Sequence, residues 1–474
     1  MKTYEILPTD ENLVQTLIDD TIGRASDIFR FVTILNSIDC SYSIALDGRW
    51  GSGKTFFVKQ TKLVLDANNA HLTVMDADVR KKVLTSCAKF IPVNSELQPQ
   101  VCVYYDAWEN DNDEDPILSL IYTILTGINS DYSFSTGKDV LSIAATIGEF
   151  LTGRNIAEIL KELRNESPLD SLKSKRELRE KVNEFFDSLL PEKGNRLIIM
   201  VDELDRCKPS YAVKLLERIK HYFTNDRITF VFSVNTYELQ KTIRKCYGDD
   251  FDASRYLDRF FDLHMSLPPV NMKKYYEVID FSNSLYQVDQ TIDAVIKAFG
   301  FELREISKYF PKVKAAVYQE THGDRCYEYA FPEEKALHFG LRTIVPIMIG
   351  LQIYDSAQLV DFIDGENYEP LMAVAHRADC RVFSCLLEHG ESFNTKENPL
   401  GEIHLDERLK KVYYAIFGNA LAGTKLFANW KAGIWRRYTR EAVEGSRTIY
   451  KFFGLYSLMD GGLRRIYRSP LHLQ

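Results

Sequence analysis

The chain has no CxxC pair, and its eight cysteines (Cys40, Cys87, Cys102, Cys207, Cys246, Cys326, Cys380 and Cys385) are scattered, mostly among apolar neighbours. That excludes the paired-cysteine redox and zinc frameworks and predicts free thiols in a cytoplasmic protein. Long apolar runs are missing too. The two most apolar, Val140–Leu151 and Ile344–Tyr354, fall far short of a bilayer span and end near charge, so a soluble chain without stable membrane insertion is expected. Behind Met1-Lys2-Thr3-Tyr4-Glu5 comes Asp10-Glu11 rather than an apolar stretch, so no secretory leader is expected. Basic charge is not in excess: the formal net charge is −8, and the molecule as a whole is not built to coat nucleic acid. Nothing of the form N-K-x-D is present to read guanine, and neither a nuclease nor a deaminase signature nor a repeat of fixed period is evident. Proline is sparse while Phe and Tyr are abundant, and the length allows two or three domains around a large core.

One cluster gathers ligand-type residues: His376, Cys380, Cys385 and His389. A spacing of four puts each His–Cys pair on one face of a helix. On a single continuous helix the two pairs would point to opposite sides, and the spacing matches no common zinc pattern. Buried thiols and surface histidines are therefore expected there.

What is present is concentrated in Gly48-Arg49-Trp50-Gly51-Ser52-Gly53-Lys54-Thr55. Ser43–Asp47 before it reads as a buried strand, and Phe56–Gln60 after it as a helix running to about Leu65. That is the strand–loop–helix setting in which G-x-x-x-x-G-K-[ST] binds phosphate. Glycines let consecutive backbone N–H groups curl around an anion, and the helix N-terminus adds partial positive charge. The expected nucleotide-binding set is Gly48, Trp50, Gly51, Ser52, Gly53, Lys54, Thr55 and Phe56. Lys54 reaches the β- and γ-phosphates, and the Thr55 hydroxyl completes a Mg²⁺ shell.

The second informative stretch is Arg196–Asp202 (RLIIMVD), a continuous apolar run suited to a strand buried on both faces. It ends in Asp202-Glu203-Leu204-Asp205-Arg206-Cys207. Beside a phosphate loop, Asp202 is the expected Mg²⁺ partner and Glu203 the base that orients and deprotonates water. A solvated loop is the alternative for an Asp-Glu pair at a strand end. Ile228–Val234 is another buried strand, and Asn235 at its tip is the candidate for sensing the γ-phosphate, ahead of Ser233 inside the strand.

The remaining segments fill in the architecture. Glu11–Asp19 and Ser26–Ile38 have helical periodicity, and Leu72–Met75 is a candidate short strand. Gln100–Trp108 (QVCVYYDAW) reads as a strand, followed by the acidic run Glu109–Asp115, expected as a solvated loop, and the helix Ile117–Ile128. Asp131–Asn195 reads as a helical insertion outside the sheet, including an amphipathic helix over Ser174–Leu190. Helices over Ser210–Phe223 and Tyr237–Tyr247 flank the Ile228–Val234 strand, and Phe260–Leu267 is the last strand. From Val270 the pattern is helical, so residues 1–270 form a nucleotide domain (insertion about 131–195) and 271–474 a mostly α-helical domain.

The motifs and their order resemble the KAP family of P-loop NTPases: GRWGSGKT with a Trp inside the loop, YYDAW followed by an acidic run, DP and a helix, then VDELDRC, then YLDRFF before the final strand. The resemblance covers roughly Asp20 to Val270. It implies an α/β P-loop NTPase fold of the additional-strand class, with a five-stranded parallel sheet sandwiched by helices and an extra strand between phosphate loop and Mg²⁺ aspartate. It also implies ATP and Mg²⁺ as ligands, and a bacterial association with defence against phage and plasmids. Many relatives carry transmembrane helices between the two motifs, where Asp131–Asn195 is too polar to span; many have Asp where this chain has Glu203.

The function expected is an ATP-hydrolysing motor or switch working with partner proteins of a defence system. The alternatives are an assembly scaffold with negligible turnover and a nucleic-acid-stimulated ATPase. Arg259, just before the last strand, stands where related oligomeric ATPases place an arginine finger, with Arg255 one helical turn earlier. Self-association is the corresponding expectation, and an ion pair of Arg259 with Asp258 or Asp262 is the local alternative.

From Lys425 the tail turns basic and aromatic, with Arg436, Arg437, Arg440, Arg464, Arg465 and Arg468 among Trp430, Trp435, Tyr438 and Phe452. Such a mixture suits phosphate contact and base stacking, or equally a helical core with snorkelling arginines. If the tail binds nucleic acid, neutralising Arg436, Arg437 and Arg440 together lowers both affinity and salt slope in an anisotropy titration. No binding by the parent chain at low salt removes that reading.

Overall fold

The computed structural model describes residues 6–417, apart from 132–178, 319–338 and short stretches at 73–74, 91–96, 114, 188–189, 191–193, 280, 282–286, 388–389 and 395–397. The chain divides into two compact units, Ile6–Val278 and the part beginning at Ile279.

The first unit opens with α1 (Asp10–Ile18) and α2 (Ala25–Ser37), then β1 (Tyr42–Asp47), α3 (Lys54–Asn68) and α4 (Ala77–Cys87). β2 (Val101–Asp106) and α5 (Pro116–Asp131) follow, then β3 (Leu197–Asp202), α6 (Pro209–Tyr222), β4 (Ile228–Val234), α7 (Thr236–Tyr247), the short α8 (Ala253–Leu257) and β5 (Leu263–Ser266). The strands form one parallel sheet in the order β2-β3-β4-β1-β5. β4 is thus the extra strand between the phosphate-loop strand β1 and the aspartate strand β3, as the family resemblance implies.

Strand composition follows from burial on both faces. In β3, Leu197, Ile199 and Val201 face one core, shared with α5, α6 and α7, while Ile198 and Met200 face the other, shared with α2, α3 and α4. Side chains alternate across a strand, so a strand covered on both faces is apolar along most of its length. Phe230 and Phe232 of β4 stack at 5.8 Å, with Phe223 and Phe261 packed around them. Each such ring buried from water stabilises the sheet by about 1.5–3 kcal/mol.

Most of the expected insertion lies outside the described residues. Its described end, 179–187, is a helix whose Val182, Phe185 and Phe186 join the core of α5 and α6. The candidate strand at Leu72–Met75 rests partly on residues 73–74, also outside.

Two expectations are corrected. The last strand is Leu263–Ser266 rather than Phe260–Leu267. Residues 258–260 instead make the turn closing α8, with the N–H of Phe260 on the Leu257 carbonyl, and Phe261 turns into the core at 5.2 Å from Phe232. The acidic run after β2 is also not a freely solvated loop. Asp111 accepts the Lys208 N–H at 3.0 Å, and Asp115 meets Lys214 and Arg218 of α6, each at 3.4 Å. Asp111 and Asp115 dock the loop onto the start and body of α6, while Glu109 and Asp113 stay exposed.

The described part of the second unit is mostly helical, with one β-bridge between Phe393 and Ile403. Val345–Tyr354, one of the most apolar runs, is a helix with Val345, Ile347, Met348, Ile349 and Leu351 buried, which accounts for its hydropathy by packing. Among the described residues no helix is long and apolar enough to cross a membrane.

Candidate functional site

The sheet register sets the site. Asp47 of β1 pairs with Val234 of β4, and Asp202 of β3 pairs with Ser233 on one side and Asp106 of β2 on the other. The strand ends are therefore level, and Gly48, Asn235, Glu203 and Ala107 each begin a loop at the same carboxyl edge. Parallel α/β sheets bind ligands at that edge.

The loop after β1 leaves the ladder through the N–H of Gly48, which bonds the Val234 carbonyl at 3.0 Å. Gly51 and Gly53 have φ of 82° and 91°, left-handed values that favour glycine. Gly53 caps α3 without a side-chain hydrogen bond, so no side chain occupies the anion-attracting helix start. The loop is braced from within and without. The Ser52 hydroxyl donates to the Arg49 carbonyl at 2.7 Å, and the buried Arg24 guanidinium donates to the Ser52 carbonyl at 2.9 Å.

Lys54, buried at the first position of α3, folds its ammonium onto the carbonyls of Gly48 (2.7 Å) and Arg49 (3.3 Å). Burial lowers its pKa, opposed by the charges of Asp205, Asp202 and Glu203. Thr55 and Phe56 are half-buried on the first turn, and the Thr55 hydroxyl has no hydrogen-bond partner among the described residues.

Asp202 is wholly buried at the end of β3. One carboxylate oxygen accepts the Tyr104 hydroxyl at 3.0 Å and the other the N–H of Glu203 at 3.0 Å. Glu203 sits at φ 60°, a strained value for a side chain with a Cβ. Its carboxylate pairs with the Arg206 Nε at 2.6 Å. Burial, then the charge of Asp202, pushes its pKa up to about 7 against the opposing pull of Arg206. A proton affinity near neutrality suits a general base.

Asp205 is buried as well and joins the two motifs. It accepts the Trp50 indole N–H at 2.5 Å, while its Oδ1 is buried without a hydrogen-bond partner. Burial raises its pKa, and Lys54 is the largest opposing influence. Asn235 caps α7, its side-chain oxygen accepting the Glu238 N–H at 3.3 Å. That leaves the amide nitrogen as the group suited to a phosphate oxygen. Ser233 is buried within the strand.

Arg259 and Arg255 are both exposed. Arg259 makes no ion pair with either neighbouring acid: Asp258 faces His264 at 3.5 Å, and Asp262 accepts the Ser43 N–H at 2.8 Å. His376 pairs with Asp406 at 3.2 Å, Cys380 and Cys385 are half-buried, and His389 lies outside the described residues. No group of three or more metal-ligating residues gathers among the described residues. The tail from Lys425 lies outside them entirely.

The residues missed in the sequence are Arg24, Tyr104 and Asp205, which hold the functional side chains from behind. Only Asp205 carried a signal, an acid inside an otherwise buried turn; Arg24 and Tyr104 come from distant segments.

A phosphate loop, a buried acidic strand end and an intervening strand define a P-loop NTPase. The model of the KAP family P-loop domain matches residues 25–298, more than half of the sequence. The chain belongs to that family. No curated protein matches it. Among solved structures it is similar to the Aeropyrum pernix ORC2 protein in ADPNP–ADP complexes, at 14% identity over 92% of this chain and 86% of that one. The TM-score of 0.27 is too low for any functional comparison.

If Lys54 turns to the phosphates of a bound nucleotide, Lys54→Ala removes a charge-assisted contact worth about 1.5–3 kcal/mol, and nucleotide affinity should fall by about tenfold or more. A titration with a fluorescent ATP analogue checks this, and unchanged affinity contradicts the assignment.

Proposed function

We propose that this chain is a Mg²⁺-dependent ATPase that acts as a motor or switch with partner proteins. The observation carrying the proposal is the convergence of Lys54, Asp202 and Glu203 at one carboxyl edge, with Asn235 at the tip of the strand between them. The loop N–H groups and Lys54 bind the phosphates. Asp202 and the Thr55 hydroxyl are hard oxygen donors that suit Mg²⁺. The ion, when bound, neutralises charge on the phosphate oxygens. Glu203 accepts a proton from the attacking water, and the Asn235 amide holds that water or the γ-phosphate. Glu203 at the end of β3 and Asn235 at the tip of β4 favour turnover over a scaffold that binds without hydrolysing.

Assembly enters through Arg259. An exposed guanidinium without an intramolecular acid partner among the described residues is suited to reach a neighbouring subunit. A role in defence against phage or plasmids is supported by the family resemblance, and nucleic-acid stimulation by the basic, aromatic tail alone.

The two acids should fail differently. Glu203→Gln keeps ATP affinity and loses phosphate release, while Asp202→Asn also weakens Mg²⁺-dependent binding. Turnover by Glu203→Gln at the parent rate contradicts a water-activating role.

For Arg259, two inactive variants, Lys54→Ala and Arg259→Ala, are mixed. A finger acting in trans predicts partial recovery, because one site then combines an intact loop with an intact arginine. It also predicts a loss on the order of 10³-fold in kcat for Arg259→Ala alone. No rescue at any ratio, or activity independent of protein concentration, rules it out.

A further inference from the structure

Arg206 lies outside both motifs' recognised chemistry, yet its surroundings are unusually specific. Its Cζ sits 5.9 Å from the Trp50 ring and 5.5 Å from the Trp108 ring. Both distances fall within reach of cation–π attraction, which favours a guanidinium against indole. The two indoles come from different segments: Trp50 belongs to the phosphate loop, and Trp108 follows β2. Each is fixed in turn. Trp50 donates its N–H to the buried Asp205. The backbone of Trp108 is held by Asp106, whose Oδ1 accepts the N–H groups of Trp108 and Glu109 at 3.0 Å each, and the loop beyond is docked through Asp111 on Lys208.

With both rings in reach, the Arg206 side chain is only 22% exposed, and its Nε lies 2.6 Å from Glu203 Oε2. Oε2 is buried and has no aligned hydrogen-bond donor, so the contact is a close ion pair. The Glu203 side chain is nonetheless 15% exposed. One carboxylate oxygen is thus anchored while part of the side chain stays exposed.

We propose that Arg206, gripped by Trp50 and Trp108, is a positioning residue that anchors Oε2 of Glu203 so that the other carboxylate oxygen is presented to the attacking water. The inference rests on Glu203 being the base. It adds that the base is aimed by a cation built into the same turn, and that the phosphate loop forms one jaw of the clamp through Trp50. In this arrangement Arg206 acts through Glu203 rather than on the reacting atoms themselves. Trp108, 52% exposed and distant in sequence from both motifs, acts one step further out.

The test compares ATP affinity, KM and kcat for Arg206→Ala, Arg206→Lys, Trp108→Ala and Trp108→Phe. Loss of the anchor should lower kcat by about tenfold or more for Arg206→Ala while ATP affinity and KM stay within about threefold. Lysine keeps the charge but not the flat, stacked fork, and should restore activity only in part. Trp108→Ala should lose activity in the same direction, and Trp108→Phe, which keeps an aromatic face, should retain most of it. In single-turnover assays at enzyme excess, which read the residual hydrolysis of Glu203→Gln, the double variant Arg206→Ala/Glu203→Gln should be no slower than Glu203→Gln alone, because an effect passing through Glu203 disappears with it.

A parent-like kcat for Arg206→Ala overturns the proposal. So does an equal further loss in the Glu203→Gln background, which a general structural role would give. If the parent chain releases no phosphate, the hydrolytic reading fails separately. The anchor is then judged from crystal structures of the parent and of Arg206→Ala with a non-hydrolysable ATP analogue. Displacement of the Glu203 carboxylate in the variant supports it, and an unmoved carboxylate overturns it.

Discussion

The parallel pairing of β3, β4 and β1 is the constraint on which the site depends. Each pair is held by backbone hydrogen bonds in a defined parallel register. Because Asp47 is level with Val234 and Ser233 with Asp202, the phosphate loop and the acidic turn start from one edge, separated by a single strand. A slip of one residue in β4 would turn every side chain of that strand to the other face, burying its polar residues differently and displacing Asn235 from the tip. The alternating cores on both faces make such a slip costly.

On that frame sits a dense group of charges. Lys54, Asp202 and Asp205 are buried, and Glu203 nearly so, in a small volume. Burying charges is unfavourable unless partners satisfy them. The chain's own groups do this in part. Tyr104 and the Glu203 N–H serve Asp202, Trp50 serves Asp205, Arg206 serves Glu203, and loop carbonyls serve Lys54. Lys54 spends its ammonium on carbonyls of its own loop. A triphosphate entering the loop would give Lys54 a better partner than those carbonyls. The site is built around groups that gain from a ligand.

Much of this was legible in the sequence, and physics explains which part. Gly48–Thr55 and Arg196–Glu203 are local: their chemistry and their strand context lie in adjacent residues, so both motifs and the order of the nucleotide domain could be read directly. β3 declared itself because a strand covered on both faces is an almost unbroken apolar run, and β4 did so with only Thr229 and Ser233 interrupting it. β5 was overextended because Phe260 and Phe261 look like strand residues, whereas one closes the turn of α8 and the other packs against Phe232. The docking of Asp111 and Asp115 was hidden because an acidic run looks the same in solvent as against Lys208, Lys214 and Arg218. Arg24, Tyr104 and the Trp50–Arg206–Trp108 arrangement depend on residues far apart in the chain, which neither periodicity nor spacing brings together.

The central claim is that this arrangement hydrolyses ATP rather than merely holding it. It is tested most directly by phosphate release from the purified chain with ATP, in Mg²⁺ and in excess EDTA, across a range of protein concentrations. The account predicts sustained, Mg²⁺-dependent release that vanishes with the metal. Tight ATP binding with no phosphate release at any protein concentration would contradict it.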